Sequence, residues 1–296
     1  MHEEVVERIW PGHEYQVTVL GGGITNHNLK VELDDGETFV LRIGGRDTEL
    51  LGIDRRVEYE AALAAAAVGV GPEVVAYIEP EGYLVTQFIE GEIVSVARMH
   101  DVATIRGVAS ALRAVHHGPP LPGRFDPFRV VEEYRSTAFA RGAAVPPEYV
   151  GARQTARAIE RARGPVPERP CHNDLLNANF IDDGRRIRIV DWEYAGMGDV
   201  FFDLANFAVN HDLDESARES LLVAYFGELR RADVRALELM SFMSLFREAM
   251  WGVVQAAISE LDFDFESYAE QHFERAELRA SEASFQAALR GDSAGF

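Results

Sequence analysis

One segment carries residues whose types and spacing could do chemistry together: Cys171-His172-Asn173-Asp174-Leu175-Leu176-Asn177-Ala178-Asn179, followed by Asp191. Its pattern is His-x-Asp, four residues, Asn, a short hairpin, then Asp. Asp182-Asp183-Gly184 supplies a turn between the apolar pair Phe180-Ile181 and the β-branched run 187–190. Residues equidistant from a hairpin turn face each other, so Asn179 and Asp191 should sit at the same open end. Asp174 lies on the loop just before. Two carboxylates and an amide therefore converge. Such a set suits phosphoryl transfer, which needs a carboxylate to orient an attacking hydroxyl and oxygen ligands to hold Mg²⁺ on phosphates. Asp174 fits the first role, and Asn179 and Asp191 fit the second. The plainer alternative is a polar loop whose Asp and Asn only cap turns. His172 two residues before, and an Asp closing the strand after, favour catalysis. Spacing gives Asp174 the better position for a base and leaves His172 to order the loop.

The elements before this segment must bring phosphates to it. Residues 15–20 alternate as a strand, the glycine run 21–23 with Ile24-Thr25-Asn26 breaks it, and Leu29, Val31 and Leu33 mark a second strand. Asp34-Asp35-Gly36 turns into a third, 39–43. A β-meander with a glycine loop lets backbone N–H groups approach phosphates, although such a loop can equally be an ordinary hairpin. Arg42 interrupts the third strand on the face of Val40. Its guanidinium can bind phosphate bidentately and stays charged. Lys30 is the sole lysine of the chain and reads as a solvated strand residue. A helix is expected over 54–68, capped by Asp54 and stopped at Gly69-Val70-Gly71-Pro72. Glu58 on it could pair with Arg42. Strands at 74–78 and 83–88 complete the small sheet. Gln87-Phe88-Ile89-Glu90-Gly91 reads as a hinge where backbone groups meet an adenine edge.

Beyond Gly91 the pattern is helical. Helices are expected over 102–116 and 130–140, after Pro146-Pro147, from Phe201, and over 215–226, 234–260 and 265–289. His116 and His117 read as helix-end residues, since no acidic partner has a metal-binding spacing. Asp203 reads as structural, tying loop amides.

The chain as a whole sets wider bounds. Its 296 residues allow two lobes, and an apolar fraction of 47% suffices for a packed core. The net charge of −20 argues against nucleic acid and is compatible with a cationic substrate. One cysteine excludes an internal disulfide framework. No apolar signal core opens the chain and no apolar run is long enough for a membrane, so a cytoplasmic protein is expected.

Several segments, in order along the chain, carry a resemblance: Gly-Gly-Ile-Thr-Asn at 22–26, Val-Leu-Arg-Ile at 40–43, Arg55-x-x-Glu58, the 172–179 loop, Asp191-Trp192-Glu193-Tyr194, Trp251-Gly252-Val253-Val254-Gln255 and Tyr268-Ala269. Together they resemble the choline and ethanolamine kinase family. That family lies within a wider group of small-molecule kinases similar to the aminoglycoside phosphotransferases. The resemblance implies an α+β, protein-kinase-like, two-lobe fold: a small antiparallel sheet with one helix over 1–88, and a larger, mainly helical lobe over 89–296. It implies ATP and Mg²⁺ as cofactors and a small alcohol, choline or ethanolamine first, as acceptor.

Carried over position by position, Asp174 resembles the base, with His172 beside it, and Asn179 and Asp191 resemble the metal ligands. Gly22, Gly23, Thr25, Asn26, Arg42, Glu58, Gln87 and Ile89 fall on the nucleotide side. Arginine at position 42 is usual in that family. Tyr194, Trp251 and Tyr268 fall where the family lines an aromatic pocket, with Glu193 or Glu248 as counter-charge. Trp251 can also be read as a core residue of a long apolar helix. Two positions depart from the pattern: Asn210 stands where a glutamate is usual, and Glu248 where a second tryptophan is. The rival readings are a kinase of thiamine or of an aminoglycoside, and a catalytically dead binding module. The presence of Asp174, Asn179 and Asp191 argues against the last.

Overall fold

Alternation of apolar and polar residues produces the first three strands of a computed structural model that describes residues 2–21 and 26–291. A short helix, α1 (His2–Ile9), precedes β1 (Tyr15–Leu20), β2 (Asn26–Leu33) and β3 (Thr38–Gly44). Helix α2 (Arg55–Ala67) follows, with the Asp54 carboxylate accepting from the amides of Arg56 at 2.8 Å and Val57 at 3.2 Å. Strands β4 (Val74–Ile78) and β5 (Tyr83–Gln87) complete an antiparallel sheet of order β1-β2-β3-β5-β4. The pleat sorts its residues. Leu29, Val31, Phe39 and Leu41 are buried on one face against Val6 and Trp10, whose ring stacks on Phe39. Asn28, Val40 and Arg42 are left for the other face, toward the larger lobe. Helix α1 is an addition to the expected plan, and it covers the outer face of the sheet.

The second half begins with β6 (Glu92–Ile93), which pairs not with the first sheet but with β8 (Phe180–Asp182). In between lie α3 (Val102–His116), α4 (Pro127–Ala140), α5 (Glu148–Arg163) and β7 (Arg169–Cys171). Strand β8 forms a hairpin with β9 (Ile187–Ile189), in the register Phe180↔Ile189. Strand β10 (Gly196–Gly198) pairs with β7. The chain then runs through α6 (Val200–Asn210), α7 (Glu215–Phe226), α8 (Arg231–Ile258), α9 (Phe265–Ser281) and α10 (Ala283–Arg290). The single helix expected over 265–289 is thus two, broken at Glu282. Helix α8 is buried without interruption from Ala236 to Gln255. It forms the axis against which α4, α6 and α9 pack. Among the described residues no helix is long and apolar enough to cross a membrane.

This is the α+β, protein-kinase-like plan, and contacts between the 69–71 turn, the connecting segment and the β8–β9 hairpin help to hold its halves in place. The amide of Ile189 donates to the Val70 carbonyl at 3.1 Å. The Arg188 guanidinium donates to the carbonyls of Val70 at 3.0 Å and Gly71 at 2.5 Å. Gly91 packs so tightly on the β8 backbone that a Cβ there would lie 2.5 Å from the Asp182 carbonyl oxygen. That close approach is why the connecting segment needs glycine at this point.

Candidate active site

The loop 172–176 is pinned from beneath by α6. The Asp203 carboxylate accepts from the amide of His172 at 2.8 Å and of Asn173 at 2.7 Å. The Leu175 amide donates to the Asn206 side chain at 2.6 Å. His172 is fully buried. Its Nδ1 lies 3.2 Å from the Asp174 amide, and its Nε2 lies 3.0 Å from the Val190 carbonyl. An amide can only donate and a carbonyl only accept, so the ring is neutral with its proton on Nε2. Burial lowers its pKa, which keeps it so. His172 therefore spaces the loop from the strand behind it. Asn173 adopts φ 69° and ties its side-chain amide to the Tyr194 carbonyl at 2.9 Å.

Asp174 is thereby left at the loop's apex. Its backbone carbonyl accepts from the Asn179 amide nitrogen at 2.9 Å, which leaves the side-chain oxygen of Asn179 as a ligand. The Val190 amide donates to the Asn179 carbonyl at 3.0 Å, so the hairpin opens as the spacing required, with Asp191 one residue further on. Asp191 has φ 70°. This left-handed backbone is uncommon outside glycine, though Asp and Asn adopt it more readily than most. Its Oδ1 stands 2.8 Å from Arg42 Nη2, yet it is buried and accepts no hydrogen bond. Together the Asp191 carboxylate and the Asn179 amide oxygen form a hard-oxygen donor pair. Their chemistry fits Mg²⁺, which prefers one or two protein oxygens beside phosphate oxygens.

Arg42 projects from β3 into a cavity of about 350 Å³ between the sheet and the hairpin. Val40, Ala62, Leu84, Thr86 and Gln87–Ile89 line one side, and Asn179, Ile181 and Asp191 the other. Arg42 donates to Asn28 Oδ1 at 3.2 Å and forms a close ion pair with Glu58, as expected. Burial opposes its charge, but Asp191, Glu58 and Glu193 more than offset that and raise its pKa. Gly22, Gly23 and Thr25 lie outside the described residues. Asn26 is turned elsewhere: its side chain donates to Glu193 at 2.7 Å and accepts from Arg55 at 2.9 Å. Arg55 also reaches Glu58 at 2.7 Å and Thr48 at 3.0 Å. This knot uses Glu193, so Glu193 is a joint between β2, α2 and the Asp191 segment rather than a free counter-charge. Burial, then its neighbour Asp191, raises its pKa to about 7. Lys30 also differs from expectation: it is partly buried, pairs with Glu32 at 2.9 Å and lies 4.8 Å above the Phe88 ring.

The three aromatics expected to share a pocket, Tyr194, Trp251 and Tyr268, do come together. Trp251 Nε1 donates to the Tyr194 hydroxyl at 3.0 Å, and its ring meets Tyr268 edge-on at 5.6 Å. Trp251 also packs edge-on against Phe265 and is buried, so it is part of the core. Glu248 accepts from the Tyr268 hydroxyl at 2.9 Å and from Arg247 at 2.5 Å. Its charge is thus matched inside the protein. Arg247 went unnoticed in the sequence. It is 1% exposed, and its Nη1 stands 3.7 Å from Asp174 Oδ1. The available signal was a charged Arg-Glu pair inside an apolar stretch of α8. Burial, with Glu248, Asp191 and Glu193 adding to it, pushes the Asp174 carboxyl well above its ordinary range, and Arg247 opposes this. Asn210 donates to the Leu175 carbonyl and to Asn206, away from Tyr194, Trp251 and Tyr268.

His116 ends α3, as expected, and also has an acidic partner distant in sequence: Asp203 at 2.9 Å, while its other ring nitrogen meets the Tyr225 hydroxyl at 2.6 Å. The pair is 87 residues apart in sequence, which is why no local spacing revealed it.

A glycine-linked pair of lobes with a carboxylate loop, an Asn–Asp pair and an arginine over one cavity defines a kinase-like phosphotransferase. The sequence profile described as the phosphotransferase enzyme family matches residues 16–237. The chain belongs to that family. It is similar to ethanolamine kinase 1 of Mus musculus, 26% identical over 307 aligned residues that cover 89% of this chain and 84% of that protein. It is 27% identical to protein LicA of Haemophilus influenzae over 216 residues, which is 71% of this chain and 62% of the LicA length. A crystal structure of a choline/ethanolamine kinase family protein from Mesorhizobium loti superposes with a TM-score of 0.85 at 29% identity, covering 100% of both chains.

Proposed function

We propose that this phosphotransferase moves the γ-phosphate of ATP, with Mg²⁺, to the hydroxyl of a small amino alcohol, choline or ethanolamine being the first acceptors. One observation carries the reading: Asp174 is held beside Asn179, whose free side-chain oxygen borders the same cavity as Asp191 and Arg42, themselves 2.8 Å apart. The kinship with ethanolamine kinase 1 supports the acceptor class.

In this reading Gln87 to Ile89 border the base of the nucleotide and Arg42 donates to its phosphate oxygens. Asn179 and Asp191 would hold the metal ion, which, when bound, offsets phosphate charge. Asp174 accepts the hydrogen bond of the acceptor hydroxyl and aims its oxygen at phosphorus. As the new O–P bond forms, the bond from Pγ to the bridging oxygen breaks. The hydroxyl proton passes to Asp174, and ADP leaves. The aromatic faces of Trp251 and Tyr268 suit the ammonium end.

An ATP-consumption screen across choline, ethanolamine, thiamine and several aminoglycosides tests the acceptor. ADP release with choline or ethanolamine is expected, and turnover confined to thiamine or an aminoglycoside would overturn that choice. The metal site is tested separately. Asp191→Ala should weaken nucleotide binding in Mg²⁺ by about tenfold or more while changing metal-free binding little. Calorimetry with and without Mg²⁺ reads both values, and equal losses would remove Asp191 from the metal site.

A further inference from the structure

Arg247 stands on α8 beside Phe246, Ala249 and Met250, all fully buried. A guanidinium cannot shed its charge, so a buried one needs partners for its donors. Nη1 donates to Glu248 at 2.5 Å and stands 3.7 Å from Asp174, near enough for an ion pair but too far for a hydrogen bond. The guanidinium carbon lies 4.3 Å from the Tyr194 ring centroid, so that π face is already covered by a cation. Nε and Nη2 are buried and have no hydrogen-bond partner. The Tyr134 phenol, which donates to the Leu51 carbonyl at 3.2 Å, also lies close enough to the guanidinium to interact with it. Nε and Nη2 form one edge of the guanidinium, the edge that grips a carboxylate through two parallel hydrogen bonds.

A cation placed here adds nothing to the recognition of a trimethylammonium group alone. It covers an aromatic wall and matches the charge of Glu248. It suits an acceptor that brings its own negative charge. Resting on the amino-alcohol kinase reading, we infer that Arg247 is a specificity residue and that the preferred acceptor is zwitterionic: an amino alcohol carrying a carboxylate. The carboxylate would take the Nε–Nη2 edge of Arg247. The ammonium group would lie toward Glu248 and Tyr268, and the hydroxyl at Asp174.

The test compares kcat/KM for ADP release with ethanolamine, choline, L-serine and the one-carbon-longer homologue of serine. L-Serine is ethanolamine with a carboxylate on the amine-bearing carbon, so the pair isolates the anion. Wild type should favour a carboxylated acceptor. Arg247→Met should lower the ratio of carboxylated to uncarboxylated kcat/KM by roughly 10- to 150-fold, the usual worth of hydrogen bonds to a charged group. Damage transmitted through Asp174 cancels in that ratio. Arg247→Lys, which keeps the charge but loses the fork, serves if the methionine variant does not fold, and should lower the ratio as well. Turnover of ethanolamine or choline with every carboxylated acceptor inert would overturn the inference and leave the amino-alcohol reading standing. An unchanged ratio in the variants would do the same. If no amino alcohol of either kind yields ADP, the underlying reading fails and this inference falls with it.

Discussion

Asp174→Asn is expected to lower kcat by roughly 10²- to 10⁴-fold, the range over which proton transfer and positioning by one side chain act. The asparagine keeps the size of the side chain but cannot take the hydroxyl proton. ATP affinity should stay within about threefold, because Asp174 contributes only its backbone carbonyl to the metal side, through Asn179. Steady-state rates with the acceptor from the screen, together with calorimetry of Mg–ATP, separate the two effects. A variant with near wild-type kcat would remove Asp174 from the chemistry. A variant that also lost nucleotide binding would show that the loop had collapsed instead.

The second large effect lies one layer further in. Asp203→Ala removes the acceptor for three buried donors at once: the amides of His172 and Asn173 and the ring of His116. Each buried donor left without a partner costs about 1–3 kcal/mol, and water entering the gap recovers part of the total. A net loss of about 3–5 kcal/mol is expected, or roughly 10 °C in Tm for a chain of this size. Differential scanning calorimetry reads it directly. Asp203→Asn should recover part of the loss, since its remaining oxygen can accept from one or both amides. If the alanine variant melts within about 2 °C of wild type, the catalytic loop draws its order from elsewhere.

The parts of this site legible in the sequence share a physical origin. The Asp174–Asn179–Asp191 set is short-range: a loop, a hairpin and a turn fix it, and each has a local signal. The Arg42–Glu58 pair was readable because strand and helix follow one another and a charge on an apolar strand is conspicuous. Asp203 was readable as a loop anchor from its place in the first turn of a helix. Long-range contacts were not. Asn26 meets Glu193 across 167 residues, and nothing in either neighbourhood announces the other. Arg247 and Asp174 are brought together only by the packing of α8 beneath the loop. The short strands β6, β7 and β10 have two or three residues each, too few for any alternation to show. Helix α1 did leave a trace: Val5, Val6 and Ile9 share one face, and all three join the outer core.

That outer core has a consequence for how the molecule would come apart. Leu29, Val31, Phe39 and Leu41 pack with Val6 and Trp10 as one apolar cluster. Ala61, Ala62, Ala65 and Leu84 belong instead to the same continuous core as α3 and α8. The boundary between the two apolar clusters thus runs through the sheet itself, with the β5 neighbours Leu84 and Val85 on opposite sides of it, and not along the 88–91 segment. The β1–β3 meander with α1 is expected to open more readily than α2, which shares its core with the large lobe, although the Arg42 and Asn26 contacts oppose the separation. Native-state amide exchange should accordingly show β1 and β2 exchanging through a lower-energy opening than α2 and α3. A single shared opening energy across all four would mean that the two clusters unfold as one.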